Sequence, residues 1–106
     1  MNHLDEDGYP TEEALDKIAN WDYNDSDGWF NFIKELWHLK SWGWTEIDEI
    51  DEVFNRPVKR YYISTAGWSG NESIIFAMQE NNILWHLHWY SSRRGGHYIF
   101  ESNSDT

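Results

Sequence analysis

The chain has 106 residues, 40% hydrophobic and 18% aromatic, with eight Trp, six Tyr, five Phe and no Cys. That length fits one domain, over 1–106, burying about two-thirds of the surface its unfolded chain exposes. The lack of cysteine excludes a disulfide framework and a thiolate metal site. Residues 1–55 carry fifteen Asp and Glu against three Lys, a net of −12, whereas residues 56–106 carry four acids against five Lys and Arg, a net of +1. Neutralising phosphate needs a basic surface, so direct nucleic-acid binding is not expected, and a basic protein partner is. No stretch approaches the ~20 apolar residues of a membrane span, and the start lacks the pattern of a signal peptide. The expectation is a cytoplasmic protein with no membrane association.

Residues 1–10 are polar around Gly8 and Pro10 and read as a loose arm. Thr11 then caps a short helix over 11–20, with Glu12 and Glu13 in the first turn, where the macrodipole favours carboxylates, and Leu15, Ile18 and Ala19 at helical spacing. Asp22-Tyr-Asn-Asp-Ser-Asp-Gly28 suggests a calcium loop, but the frame fails. Its sixth position is Asp27 rather than glycine and its twelfth is Ile33 rather than glutamate. Asp25, Ser26 and Asp27 instead compete to cap a helix over 28–39. There Asn31, Lys34, Glu35 and His38 form one polar stripe and the rest is a wide apolar arc. Gly43 supplies the turn that ends this segment.

Thr45-Glu-Ile-Asp48 has the pattern of a capping box and predicts a third helix over 46–54, with Ile47, Ile50 and Phe54 inward. Glu46, Asp48, Glu49, Asp51 and Glu52 cover the remainder without a lysine among them. Like charges three and four apart cost about 0.2–0.5 kcal/mol per pair. Arg56, Lys59 and Arg60, or a basic partner, would supply the counter-charge. Pro57 leads into a strand over 58–65, with Tyr61, Ile63 and Thr65 on one face and Arg60, Tyr62 and Ser64 on the other. A glycine loop and a second capping box, Ser69-Gly-Asn-Glu72, open a helix over 70–81. Ile83 to Ser92 alternates as a strand, Arg93-Arg-Gly-Gly96 turns a hairpin, and His97 to Glu101 returns, leaving a polar tail over 102–106. A right-handed crossover through the helix would make the first two strands parallel. The fold class is α+β: short N-terminal helices packed on a β-α-β-β unit that forms a small three-stranded mixed sheet.

No complete catalytic set emerges. His86 and His88 would share a strand face, but His97, after a two-residue turn at Gly95-Gly96, would lie about 20 Å from His88 at ~3.3 Å per residue, too far for a shared zinc ion. Gly67-Trp-Ser-Gly-Asn71 misses the nucleophile-elbow frame, and the loop has no Walker lysine. Ser69 is better used as a cap. Arg93 and Arg94 make the most basic segment, suited to gripping a carboxylate on a partner or in the acidic half of the chain itself.

Two runs, Ile63-Ser-Thr-Ala-Gly-Trp-Ser-Gly-Asn-Glu-Ser-Ile-Ile75 and Trp89-Tyr-Ser-Ser-Arg-Arg-Gly-Gly-His-Tyr-Ile-Phe-Glu101, resemble a set of small uncharacterised bacterial and phage-borne proteins. The resemblance implies a bacterial or mobile-element setting and brings no activity, cofactor or catalytic residue. The function expected is that of a small acidic, non-enzymatic protein binding a basic macromolecular partner, such as an inhibitor, an immunity protein or a nucleic-acid mimic. The partner-binding residues would be Asp48, Glu49, Asp51, Glu52, Trp68, Asn71, Arg93 and Arg94; no catalytic, metal or cofactor residue is assigned. One alternative is a small-ligand or catalytic domain in which Ser69, Asn71, His86, His88 and Arg93 converge beside the Gly67–Glu72 loop. Another is homodimerisation through an edge strand.

Overall fold

A computed structural model describes residues 3–103 of the chain. The elements in order are α1 (Glu12–Ala19), α2 (Ser26–Leu36), α3 (Lys40–Gly43), β1 (Trp44–Asp51), β2 (Arg56–Ser64), α4 (Ser69–Glu80), α5 (Asn82–His88), β3 (Trp89–Arg93) and β4 (His97–Asn103). The strands form one sheet in the order β1-β2-β4-β3, antiparallel at every pairing. The class is α+β, as the sequence indicates; the sheet has one strand more than expected and is not mixed. β2 and β3 do run in the same direction, but β4 lies between them, so the crossover never makes a parallel pair.

The extra strand is β1, where a helix was expected over 46–54. Ile47, Ile50 and Phe54 match the helical period, but one short helix would set five carboxylates three and four residues apart. As a strand, three of them, Glu46, Glu49 and Asp51, meet cations. Glu46 lies 3.0 Å from both Lys34 and Lys59, and Glu49 and Asp51 reach Arg60. Electrostatics therefore favours the extended form, and Thr45, Ile47 and Ile50 suit it.

The stretch 83–92 divides differently from the expected single strand. Asn81 accepts the Leu84 N–H on its side chain and starts α5 directly after α4. Leu84 and His88, four apart, are buried together. An alternating apolar pattern in so short a run fits either structure, and the cap decides. Asn81 also donates to the carbonyls of Ile18 and Trp21, tying α5 to the end of α1.

α1 starts as expected, with Thr11 Oγ1 accepting the Ala14 N–H, and Asp25 caps α2 by accepting from Gly28. α4 lacks the expected box. Ser69 is its first helical residue, and no side chain caps its start. Nor are residues 3–10 a loose arm: Leu4 bridges Pro10, Asp5 accepts from the N–H groups of Asp7 and Tyr9, and the Tyr9 ring lies 4.6 Å from that of Trp68. The tail expected over 102–106 begins inside β4, and its last three residues lie outside the described range.

Helices α1, α2, α4 and α5 pack on one face of the sheet. Ile18, Trp29, Phe30, Ile33, Ile74, Met78 and Leu84 meet Tyr61, Ile63 and Phe100 in one cluster. Phe30 stacks on Tyr61 with centroids 4.1 Å apart, and buried Trp29 donates its indole N–H to the Ile18 carbonyl at 3.0 Å. Each such aromatic buries about 150–250 Å². At about 25 cal/mol per Å², these few rings carry much of the stabilisation. Val58 and Ile99 are also buried but share the strand parity of Arg60 and Tyr62, on the face opposite that cluster.

Candidate interaction surface

β1 is an edge of the sheet, and its far end leads into the turn at 52–55. Asn55 takes a left-handed conformation there, φ 53°, and its N–H returns to the Asp51 carbonyl. This leaves Ile47 and Ile50 exposed, with Val53 and Phe54 81% and 70% exposed at the tip. Asp48 and Glu52 lie among them, also exposed, and among the described residues neither has a cation within 4.0 Å. An unpaired strand edge with acidic and apolar side chains interleaved is suited to a segment carrying the opposite charge.

Glu49 and Asp51 are used differently. Arg60 is mostly buried on the sheet face opposite the core cluster and reaches Glu101 at 2.9 Å, Glu49 at 3.7 Å and Asp51 at 4.0 Å. Its guanidinium lies 4.7 Å from the Tyr90 ring centroid, and the Tyr62 hydroxyl donates to Glu49. Burial works against the Arg60 charge, but the bond to Glu101 outweighs it and raises the pKa. The hydrogen bond to Glu49 likewise raises that of Tyr62. Thus two of the four acids assigned to a partner are held inside the protein. Around Glu46, burial pushes the carboxyl pKa upward, but hydrogen bonds from Trp44, Lys34 and Lys59 prevail and hold it at about 2.

The remaining assigned residues do not join this surface. Asn71 is fully buried, bonded to the His38 and Thr65 backbone, and so offers nothing to a partner. Trp68 is half-buried, stacked between His38 at 4.3 Å and Tyr9. Arg93 and Arg94 are exposed at the β3–β4 hairpin, whose loop has three residues, so that His97 faces Arg93 rather than Arg94. Neither arginine pairs with an acid among the described residues.

Ser69, Asn71, His86, His88 and Arg93 do not converge either. On helix α5 the two histidines part: His86 is exposed, with Nδ1 2.7 Å from the Asn82 carbonyl, and His88 is buried. His88 Nδ1 lies 2.9 Å from the Glu101 carbonyl and Nε2 lies 2.7 Å from Ser26 Oγ. A hydroxyl beside an imidazole that a carbonyl orients is the geometry of an activated nucleophile. Here the ring also packs edge-on against Phe30, and its two nitrogens tie α2 and β4 to α5. Burial lowers its pKa, so the neutral ring is favoured. Sequence reasoning missed this tie and the Arg60 cluster, since both join residues far apart in the chain with no spacing to mark them.

Comparison with known protein families, curated proteins and solved structures finds no match for this chain. Among the described residues no helix is long and apolar enough to cross a membrane, and no three His, Asp or Glu side chains are grouped to hold a metal ion.

Proposed function

We propose that this is a small acidic, non-enzymatic protein that binds a basic macromolecular partner, a protein, along β1 and the β1–β2 turn. The supporting observation is that Asp48 and Glu52 lie on an edge strand and its turn with no cation within 4.0 Å among the described residues, flanked by exposed Ile47, Ile50, Val53 and Phe54. The apolar groups supply contact area and the carboxylates supply orientation and a fast encounter. Glu49 and Asp51 act indirectly by fixing the strand on Arg60. An inhibitor, an immunity protein or a mimic occupying a nucleic-acid channel would each use such a surface. The resemblance of the 63–75 and 89–101 runs to bacterial and phage-borne proteins suggests the setting, the bacterial cytoplasm.

The test is affinity capture on the immobilised protein from a bacterial lysate at about 50 mM salt, eluted by raising salt to about 0.5 M, where screening shortens to a few ångströms. A specific partner should elute with salt and be lost from the Asp48→Asn/Glu52→Gln protein, with the folded-state spectrum unchanged. If the same proteins are retained on that variant, β1 is not the docking edge.

A further inference from the structure

The sheet face opposite the helices holds a second feature, at the other end from the Arg60 cluster. A cleft of about 510 Å³ opens there, lined by Trp42, Thr45, Tyr62, Ser64, Arg93 and His97, with buried Ile99 in its floor. Strand register builds it. Thr45 pairs with Tyr62 and Tyr62 with Ile99 in one row, and Ser64 pairs with His97 and His97 with Arg93 in the next, so these side chains share one face. Trp42, on α3, is 65% exposed beside them. The hydrogen bond from the Tyr62 hydroxyl to Glu49 holds that ring in place.

The chemistry of the lining is unlike the rest of the molecule. In a chain of net charge −11, the cleft carries an arginine with no acid within 4.0 Å among the described residues, a histidine and the aliphatic hydroxyls of Thr45 and Ser64. Its walls are otherwise aromatic and aliphatic, in the size range of small-molecule sites. A free guanidinium beside flat apolar walls fits a planar ring bearing a carboxylate. The same face also limits the ligand's charge, because farther along it Glu49, Asp51 and Glu101 share one cation, Arg60, among the described residues. A ligand with several negative charges would be repelled.

We infer that this cleft binds a small aromatic monocarboxylate, with the ring between Trp42 and Tyr62 and the carboxylate on Arg93, near His97 and Ser64. This site is independent of the β1 edge. The probe is benzoate, titrated into the ¹⁵N-labelled protein and followed by NMR, with benzamide and acetate as the ring-without-charge and charge-without-ring controls. Benzoate should bind with a Kd of about 1 mM, an affinity suited to so small a ligand, with the largest shifts at Trp42, Arg93 and His97. Benzamide and acetate should each bind about tenfold more weakly or worse. Arg93→Gln and Trp42→Ala should each weaken benzoate about tenfold, and both positions are exposed, so the fold should tolerate them. Arg94→Gln, outside the cleft, should leave the affinity within about twofold. Equal affinity for benzamide, insensitivity to Arg93→Gln, or unsaturated shifts scattered over the surface would each overturn the inference.

Discussion

Asn71 on α4 holds the backbone of His38 with both ends of its amide. Oδ1 accepts the His38 N–H at 3.0 Å, and Nδ2 donates to the His38 carbonyl at 3.1 Å. The chain between α2 and α3 has no regular partner of its own, so a side chain 33 residues away supplies both hydrogen bonds. Asn71→Ala would leave these groups unpaired and open a void, costing about 2–3 kcal/mol. Asn71→Asp would keep the acceptor but lose the donor and bury a charge, and should be no better. Urea unfolding should show a lower midpoint with an unchanged slope.

Arg60 is the only cation among the described residues near Glu49, Asp51 and Glu101 together. Arg60→Ala would leave three carboxylates facing one another across β1, β2 and β4. The expected loss is about 2–3 kcal/mol, below that of a fully buried pair because Glu49 keeps some water contact. Arg60→Lys should recover about half of it, since a single ammonium cannot span three acceptors. Thermal unfolding at low and high salt checks the electrostatic origin: the Arg60→Ala deficit should shrink as salt rises.

Acid should weaken the fold in two steps. The unfolded chain protonates His88 near its ordinary value of 6.5, whereas burial holds the folded ring neutral to lower pH. Its contribution is therefore full above pH 6.5 and is lost as pH falls through the lower folded value. Glu46 works the same way farther down, being full above its ordinary 4.5 and lost as pH falls toward about 2. Stability measured by urea from about pH 7.5 to 3 should drop in both windows. His88→Gln should flatten the upper one relative to the parent protein, and Glu46→Gln the lower.

Two glycines with similar backbone angles should respond unequally to alanine. Gly67 has φ +71° and open space where a methyl would project, so Gly67→Ala bears only the left-handed strain, about 1–2 kcal/mol. Gly96 has φ +78°, and a Cβ there would lie 2.2 Å from Thr65 Oγ1. The Gly96 carbonyl also accepts the Thr65 N–H at 3.0 Å. Gly96→Ala should cost at least about 1 kcal/mol more than Gly67→Ala, because Thr65 is buried and cannot yield. Paired denaturation curves decide this.

Local chemistry alone determined the class of fold, three of the helices, the two faces of β2 and the β3–β4 hairpin. Thr11 and Asp25 cap where their spacing says, and Tyr61 and Ile63 point inward because a strand alternates. The sequence also exposed the −12 imbalance of the first half, which is the origin of the proposed function. Tertiary structure decided what local patterns leave degenerate. The run 46–54 fits a helical period as well as an extended one, and only the arrival of Lys34, Lys59 and Arg60 from elsewhere makes the strand cheaper. The run 83–92 alternates, yet the Asn81 cap and the packing of Leu84 and His88 make its first part a helix. The same long-range pairing separates Glu49 and Asp51, bound within the fold, from Asp48 and Glu52 on its surface. Charge along a chain is a local property, but whether that charge is neutralised depends on which distant residues the fold brings beside it.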